Sequence, residues 1–259
     1  MSRSPQLSSP FFRADGRTLI VPIDHGTAIA VPGLEDMGRV IGELGAYADG
    51  FVVNYGVARA FRAELAGKGV CLRADVYKPS LPGHEDHGAY RTYGAEDAAA
   101  VGAQAVMSML YVHHRAEAAM FRENAALISG CRGRGCAVIV EALPYGLGQS
   151  AHYTPEPIGF AVRAAAELGA DVVKTAWPGD GEAFRRIVDA SFVPVVVLGG
   201  AAGDEVGILE MVEESVRAGG AGIAIGRNVW QQANPLLMLR RLHAVVHEGA
   251  TAAEALELR

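Results

Sequence analysis

No stretch of the chain approaches 18 uninterrupted apolar residues, so a membrane-spanning helix is not expected. Cysteine is scarce. Cys71, Cys131 and Cys136 form neither a CxxC pair nor an even disulfide framework, and a reducing compartment is the simpler reading. No run rich in Lys and Arg is present, and 23 basic against 29 acidic side chains leave a net charge of −6. Such a balance gives no electrostatic reason to expect nucleic acid or a membrane surface as partner. The first ten residues, rich in Ser and Pro, lack the apolar core of a signal peptide. They read as a loosely ordered tail (1–10) ahead of one domain (11–259), in a cytoplasmic protein.

What is present is apolar material in a regular order. Half of the 259 residues are hydrophobic. Eight short runs rich in β-branched residues read as strands: 18–23, 50–54, 70–74, 105–110, 137–142, 171–175, 194–198 and 222–225. Several, such as AVIVEA and VPVVVL, are apolar on both faces, as parallel strands covered on both sides must be. Helical patterns lie between them. Asn234-Pro235 reads as an N-cap with Pro at the first helical position, opening a helix over 236–248. The stretch 204–218 places Val206, Leu209, Val212 and Val216 on one face and stops at Gly219-Gly220. Eight strand–helix units predict an α/β fold, a closed (β/α)₈ TIM barrel. The rival, an open doubly wound sheet, would want a GxGxxG turn after an early strand, and none is there.

In such a barrel, polar residues at the C-terminal ends of strands are the functional candidates. In chain order these are Asp24 and His25, Asn54, Asp75, Tyr111 with His113, Glu141, Lys174, Gly199-Gly200 and Gly226-Arg227. Lys174 is the sharpest of them. It ends the otherwise apolar DVVKTA strand, where an unpaired ammonium is expensive to bury. Such a lysine is either paired to a carboxylate or partly desolvated into a good amine nucleophile. Asp24 in VPIDHG is a general base, the partner of Lys174, or a loop cap. The glycines of LGGAAG and AIGRNVW follow the last two strands, where barrels recurrently bind phosphate, and Arg227 offers a bidentate contact. HEDH at 84–87 suggests a metal by its His spacing, but it lies in a Pro/Gly loop with no third ligand. A solvated loop is the better reading. Trp177 and Pro178 shape a pocket wall or simply the turn.

With VPIDHG (21–26), VVKTAWPGDGEAFRRIV (172–188), VPVVVLGG (193–200) and GGAGIAIGRNVWQQANP (219–235) on the page, the chain resembles the archaeal-type class I fructose-bisphosphate aldolases. That group has relatives in 2-amino-3,7-dideoxyheptulosonate synthase and the autoinducer-2 phosphate thiolase. The resemblance runs from Leu19 to Val246. It implies Lys174 as the Schiff-base lysine and Asp24 as the first-strand aspartate. It also implies Gly199, Gly200, Gly226 and Arg227 as the phosphate site.

Two departures stand out. The tyrosine acid that the resemblance implies after the fifth strand is replaced by Leu143 in EALPYG, with Tyr145 two residues on. The loop after strand seven reads Gly-Gly-Ala-Ala in place of Gly-Gly-Pro-Lys. Tyr145 and Glu141, the latter with its acidity weakened by burial, are the two candidates for the missing acid. The expectation is a Schiff-base aldolase acting on a phosphorylated keto compound, needing no cofactor and no metal, and working as a homo-oligomer. A thiolase-type acyl transfer and a non-catalytic binding barrel are the alternatives.

Overall fold

The structure is a computed structural model that describes residues 11–29, 31–77, 88–200 and 203–259. The expected tail (1–10) and the HEDH loop lie outside the described residues. The strands are β1 (Thr18–Pro22), β2 (Gly50–Val53), β3 (Gly69–Arg73), β4 (Asp75–Val76), β5 (Tyr90–Arg91), β6 (Ala105–Val112), β7 (Ala137–Pro144), β8 (Val172–Thr175), β9 (Val195–Leu198) and β10 (Gly222–Ala224). Eight of them close a barrel in the order β1-β10-β9-β8-β7-β6-β3-β2, and every pair in it is parallel. The closed sheet has no free edge, and the helices cover its outer face.

The helices are α1 (Met37–Leu44), α2 (Tyr55–Ala60), α3 (Ala95–Val101), α4 (Glu117–Cys131), α5 (Pro155–Leu168), α6 (Gly181–Ala190), α7 (Glu205–Arg217), α8 (Arg227–Trp230), α9 (Pro235–His243) and α10 (Ala252–Leu256). Several of them start at side-chain caps. Asp180 and Asp204 accept from the N–H groups of Ala183 and Gly207 at the starts of α6 and α7. Asn234 accepts from Leu237 N–H, as its N-cap reading predicts. The helix it opens continues past α9 as a π-helical turn, Ala244–Glu248, which Gly249 ends in the left-handed conformation.

All eight expected strands are present, with ends shifted by a residue or two. The difference is largest where β6 and β7 run on to Val112 and Pro144, because the two pair with each other beyond the rim, Tyr111 opposite Leu143 and Val112 opposite Pro144. The small antiparallel pair β4–β5 went unread, since two residues carry no periodicity. The buried face of α7 also differs from expectation. It is Ile208, Leu209, Val212, Ser215 and Val216, whereas Val206 is exposed. Leu209, Val212 and Val216 are buried as expected; at 100° per residue Val206 stands well off the line through 208, 212 and 216, so it alone falls outside the face.

Inside the barrel, alternate residues stack in layers. Ile20, Val52, Cys71, Ala105, Met107, Ala137, Ile139, Val172, Val196 and Ala224 form an apolar plug with Phe11 and Phe12 at the N-terminal end. Phe11 lies against the backbones of Gly50 and Gly69, where a Cβ on either would fall 2.7 Å from its ring. Two residues further along the strands, several of the same inward positions turn polar, at Arg73, Glu141 and Lys174. That change of layer makes the site.

Candidate active site

The next inward positions after the plug are Pro22 and Asp24 from β1 and its exit, Arg73 from β3, Met109 from β6, Glu141 from β7, Lys174 from β8 and Leu198 from β9. All line one cavity of about 580 Å³ at the C-terminal end of the barrel. The apolar layer beneath closes its floor. His25, Tyr77, Tyr153, Trp177, Gly199, Gly200, Gly226 and Arg227 complete the wall.

Glu141 and Lys174 are register partners on adjacent strands, so both side chains point inward at the same height. Lys174 Nζ lies 2.8 Å from Glu141 Oε1, and both residues are buried. The other carboxylate oxygen accepts from Arg73 Nη1 at 3.0 Å. Arg73 Nε stands 2.8 Å from Asp75 Oδ1 and 3.5 Å from Asp24 Oδ2. Burial pushes the Glu141 carboxyl up, but Lys174 and Arg73 outweigh it and hold the group at about 2. Glu141 therefore remains a carboxylate, and the expectation that burial makes it an acid is corrected by its two cationic neighbours. Burial also pushes Asp75 up, to about 6, against the pull of Arg73 and the Met109 N–H it accepts.

Asp24 is buried at the cavity edge, with Asn54 Nδ2 donating to its backbone carbonyl at 2.7 Å. Its carboxylate faces Arg73 and, at 3.5 Å, His25 Nδ1. The His25 ring packs edge-on between Trp230 and Tyr77. Burial pushes that imidazole down, so it is neutral near pH 7.

The glycine loops face the same cavity. Arg227 is half-buried and donates to Gly200 O at 2.8 Å, while Asn228 Nδ2 donates to Gly199 O at 2.7 Å. Gly226 is required by a close approach: a Cβ there would meet Pro22 O at 2.5 Å and His25 and Trp230 at 3.0 Å. Lys174, Asp24, Glu141, Gly199, Gly200, Gly226 and Arg227 are thus brought together, as the strand-end reading requires.

Tyr145 is not among them. Strand β7 runs on through Pro144, Tyr145 leaves it with φ +60°, and its exposed ring packs on His113 and His152 outside the cavity. The expectation that a loop turns its hydroxyl back toward Lys174 is corrected by that backbone turn. Leu143, at the position where the resemblance implies a tyrosine, is fully buried.

Sequence reasoning missed three wall residues. Arg73 carried a signal, being the charged residue in GVCLR at the inward spacing Cys71–Arg73–Asp75. Tyr77 and Tyr153 sit in irregular segments without one. Among the described residues no group of three His, Cys, Asp or Glu side chains is placed to hold a metal.

Residues 18–232 match the model of the DeoC/LacD family aldolases. The 2-amino-3,7-dideoxy-D-threo-hept-6-ulosonate synthase of Halobacterium salinarum is 34% identical over 93% of this chain and 91% of its own. The class 1 fructose-bisphosphate aldolase of the same organism is 32% identical over 97% and 98%. Among solved structures, an archaeal fructose 1,6-bisphosphate aldolase superposes with a TM-score of 0.82 at 30% identity, covering 92% of this chain and 97% of that one. Another archaeal one, with its catalytic lysine covalently bound to the carbinolamine intermediate of the substrate, gives 0.81 at 28%, covering 91% and 96%. A lysine buried on the floor of a barrel-top cavity fits that company, and the chain belongs to the DeoC/LacD aldolase family.

Proposed function

We propose that Lys174 carries the reaction as a Schiff base and that the substrate is a phosphorylated keto compound. The enzyme is a class I aldolase. The observation that supports this most is the Lys174 amine itself, buried on the cavity floor and aimed by Glu141 at 2.8 Å. In its neutral form the amine adds to the substrate carbonyl, and the carbinolamine loses water to give an iminium. That cation draws the electron pair of the breaking C–C bond into an enamine, so no free carbanion forms. Glu141, pinned by Arg73, holds the nitrogen in position. Asp24, facing Arg73 in the same cavity, offers a carboxylate to substrate hydroxyls. Arg227 with the backbones of Gly199, Gly200 and Gly226 receives the phosphate. The relatives named as fructose-bisphosphate aldolases, one with its lysine bound to the carbinolamine intermediate, support this over acyl transfer.

The chain contains three lysines, Lys68, Lys78 and Lys174, which makes the test sharp. Borohydride added with fructose 1,6-bisphosphate or dihydroxyacetone phosphate should fix substrate mass on the Lys174 peptide. Lys174→Met should abolish the adduct. Labelling of Lys68 or Lys78 instead would sink the proposal. The iminium already supplies the electron sink that a metal provides in other aldolases, so activity should survive prolonged chelation. Loss that zinc alone restores would return the HEDH loop to consideration. Free thiols at Cys71, Cys131 and Cys136 fit a cytoplasmic enzyme. The homo-oligomer expected from the sequence is tested by light scattering in solution.

A further inference from the structure

Aldol cleavage on an iminium needs an acid to expel the carbinolamine hydroxyl and a base for the hydroxyl on the departing carbon, and one residue can fill both roles in turn. Few hydroxyl or carboxyl groups in the cavity are free for this, and the Asp24 carboxylate faces Arg73 and His25, each at 3.5 Å. Glu141 is locked between Lys174 and Arg73. The Tyr153 hydroxyl donates to Gly146 O and accepts from Gly148 N–H, so its role is to close its own loop. Tyr111 spends its hydroxyl on the carbonyl of Tyr77. Tyr145 is outside. Tyr77 is different. It is buried in the cavity wall, and its hydroxyl makes no hydrogen bond among the described residues.

We infer that Tyr77 is the acid–base residue of the Lys174 reaction, standing in from the β3 side for the tyrosine absent at Leu143. The inference rests on the Schiff-base reading above. Tyr77 is itself fixed at both ends: its carbonyl accepts from Tyr111 at 2.9 Å, and the Arg73 guanidinium lies over its ring, 4.3 Å from the centroid. Asp24, Arg73, Glu141 and Arg227 set the field at the hydroxyl, and the neutral His25 ring stands edge-on to the tyrosine ring, 6.4 Å between centroids. Burial first, then Asp24, push the phenol up, so each cycle starts with it protonated. The cation over its face then stabilises the phenolate that forms.

The proton balance closes on this one residue. Tyr77 gives its proton to the carbinolamine hydroxyl, which leaves as water, and iminium and phenolate form together. The phenolate takes the proton of the substrate hydroxyl on the carbon that departs. That hydroxyl becomes the aldehyde carbonyl, and the C–C electron pair moves into the enamine. Tyr77, protonated again, gives its proton to the enamine carbon. The resulting iminium is hydrolysed by water, with the phenolate recovering a proton as the carbinolamine forms. Nothing outside substrate, water, Lys174 and Tyr77 is consumed.

Two readouts with dihydroxyacetone phosphate separate this proposal from the reading it rests on. Borohydride trapping reports the Schiff base, and exchange of the substrate's α-hydrogen in D₂O, followed by proton NMR, reports the proton transfer. Tyr77→Phe should still reach the Lys174 adduct on prolonged incubation, though more slowly because dehydration has lost its acid, with exchange slowed at least ~100-fold. Tyr145→Phe should stay within about threefold of the parent in both, since losses at general acid–base groups are far larger. An adduct in Tyr77→Phe with exchange near the parent rate overturns the role of Tyr77. No adduct in the parent overturns the Lys174 reading instead. If Tyr77→Phe fails to fold, 3,5-difluorotyrosine in place of Tyr77 serves, because it keeps the shape and acidifies the phenol. The limb of the pH–exchange profile set by the tyrosine should then move to lower pH. An unmoved profile makes Tyr77 a wall residue.

Discussion

Glu141 faces Lys174 directly across the β7–β8 ladder, and the carboxylate so placed is shared with Arg73 at 3.0 Å. One negative charge thus holds two buried cations. Removing it leaves both without that partner, and breaking a buried pair in this way typically costs about 3–5 kcal/mol. Glu141→Gln should lower stability by that order in urea denaturation and slow adduct formation at Lys174. A loss under about 1 kcal/mol would mean that water reaches the cluster freely.

The same cluster sets two opposed pH trends. Glu141 sits at about 2 in the folded protein against its ordinary 4.5, so its stabilisation is complete above 4.5 and is lost as pH falls toward 2. Asp75 runs the other way. Its carboxyl is raised from 3.8 to about 6, so the folded state binds the proton more tightly and stability falls as pH rises through that window. Asp75→Asn should flatten the stability profile between those two values while leaving the loss below 4.5. An unchanged slope in calorimetric scans would place Asp75 outside the linkage.

Arg227, held by Gly200 O and half-exposed in the cavity wall, is the proposed phosphate contact. A charge-assisted contact of this kind is worth about 1.5–3 kcal/mol, roughly ten- to a hundredfold in affinity. Arg227→Ala should weaken phosphorylated ligands by that factor in titration calorimetry and spare unphosphorylated ones. Equal weakening of both would make the arginine structural.

The sequence carried the barrel because each of its strands is an apolar run, such as AVIVEA, that only a doubly covered parallel strand can use. It carried Lys174, Asp24 and Glu141 because each breaks such a run at its C-terminal end. The acid–base question was not legible. Tyr145 is near Glu141 along the chain, but a left-handed turn at φ +60° sends it outside, and no residue pattern announces that turn. Arg73 was readable in principle from its spacing to Cys71 and Asp75. Phe11 was not, since its role depends on two glycines, Gly50 and Gly69, that are distant in sequence and adjacent only in the closed barrel.

Phe11 makes the last test, because it divides stability from chemistry within one barrel. Its ring is fully buried at the N-terminal end, sealed by the backbones of β2 and β3, while Lys174 lies beyond the apolar layers at the other end. Nearby, Asp49 ties that end together: it takes Arg13 Nε, the backbone N–H of Leu19 and His247 Nε2. Removing the ring opens a void that these contacts keep from collapsing, and Phe→Ala changes of this kind cost about 3–5 kcal/mol. Phe11→Ala should therefore lower Tm by several degrees, yet leave borohydride labelling of Lys174 intact at temperatures where the variant is folded. A full-strength Tm would mean that the tail end of the chain is not seated in the barrel. A normal fold with labelling lost would mean that the plug positions the strand ends, tying the two faces together more tightly than the layered core implies.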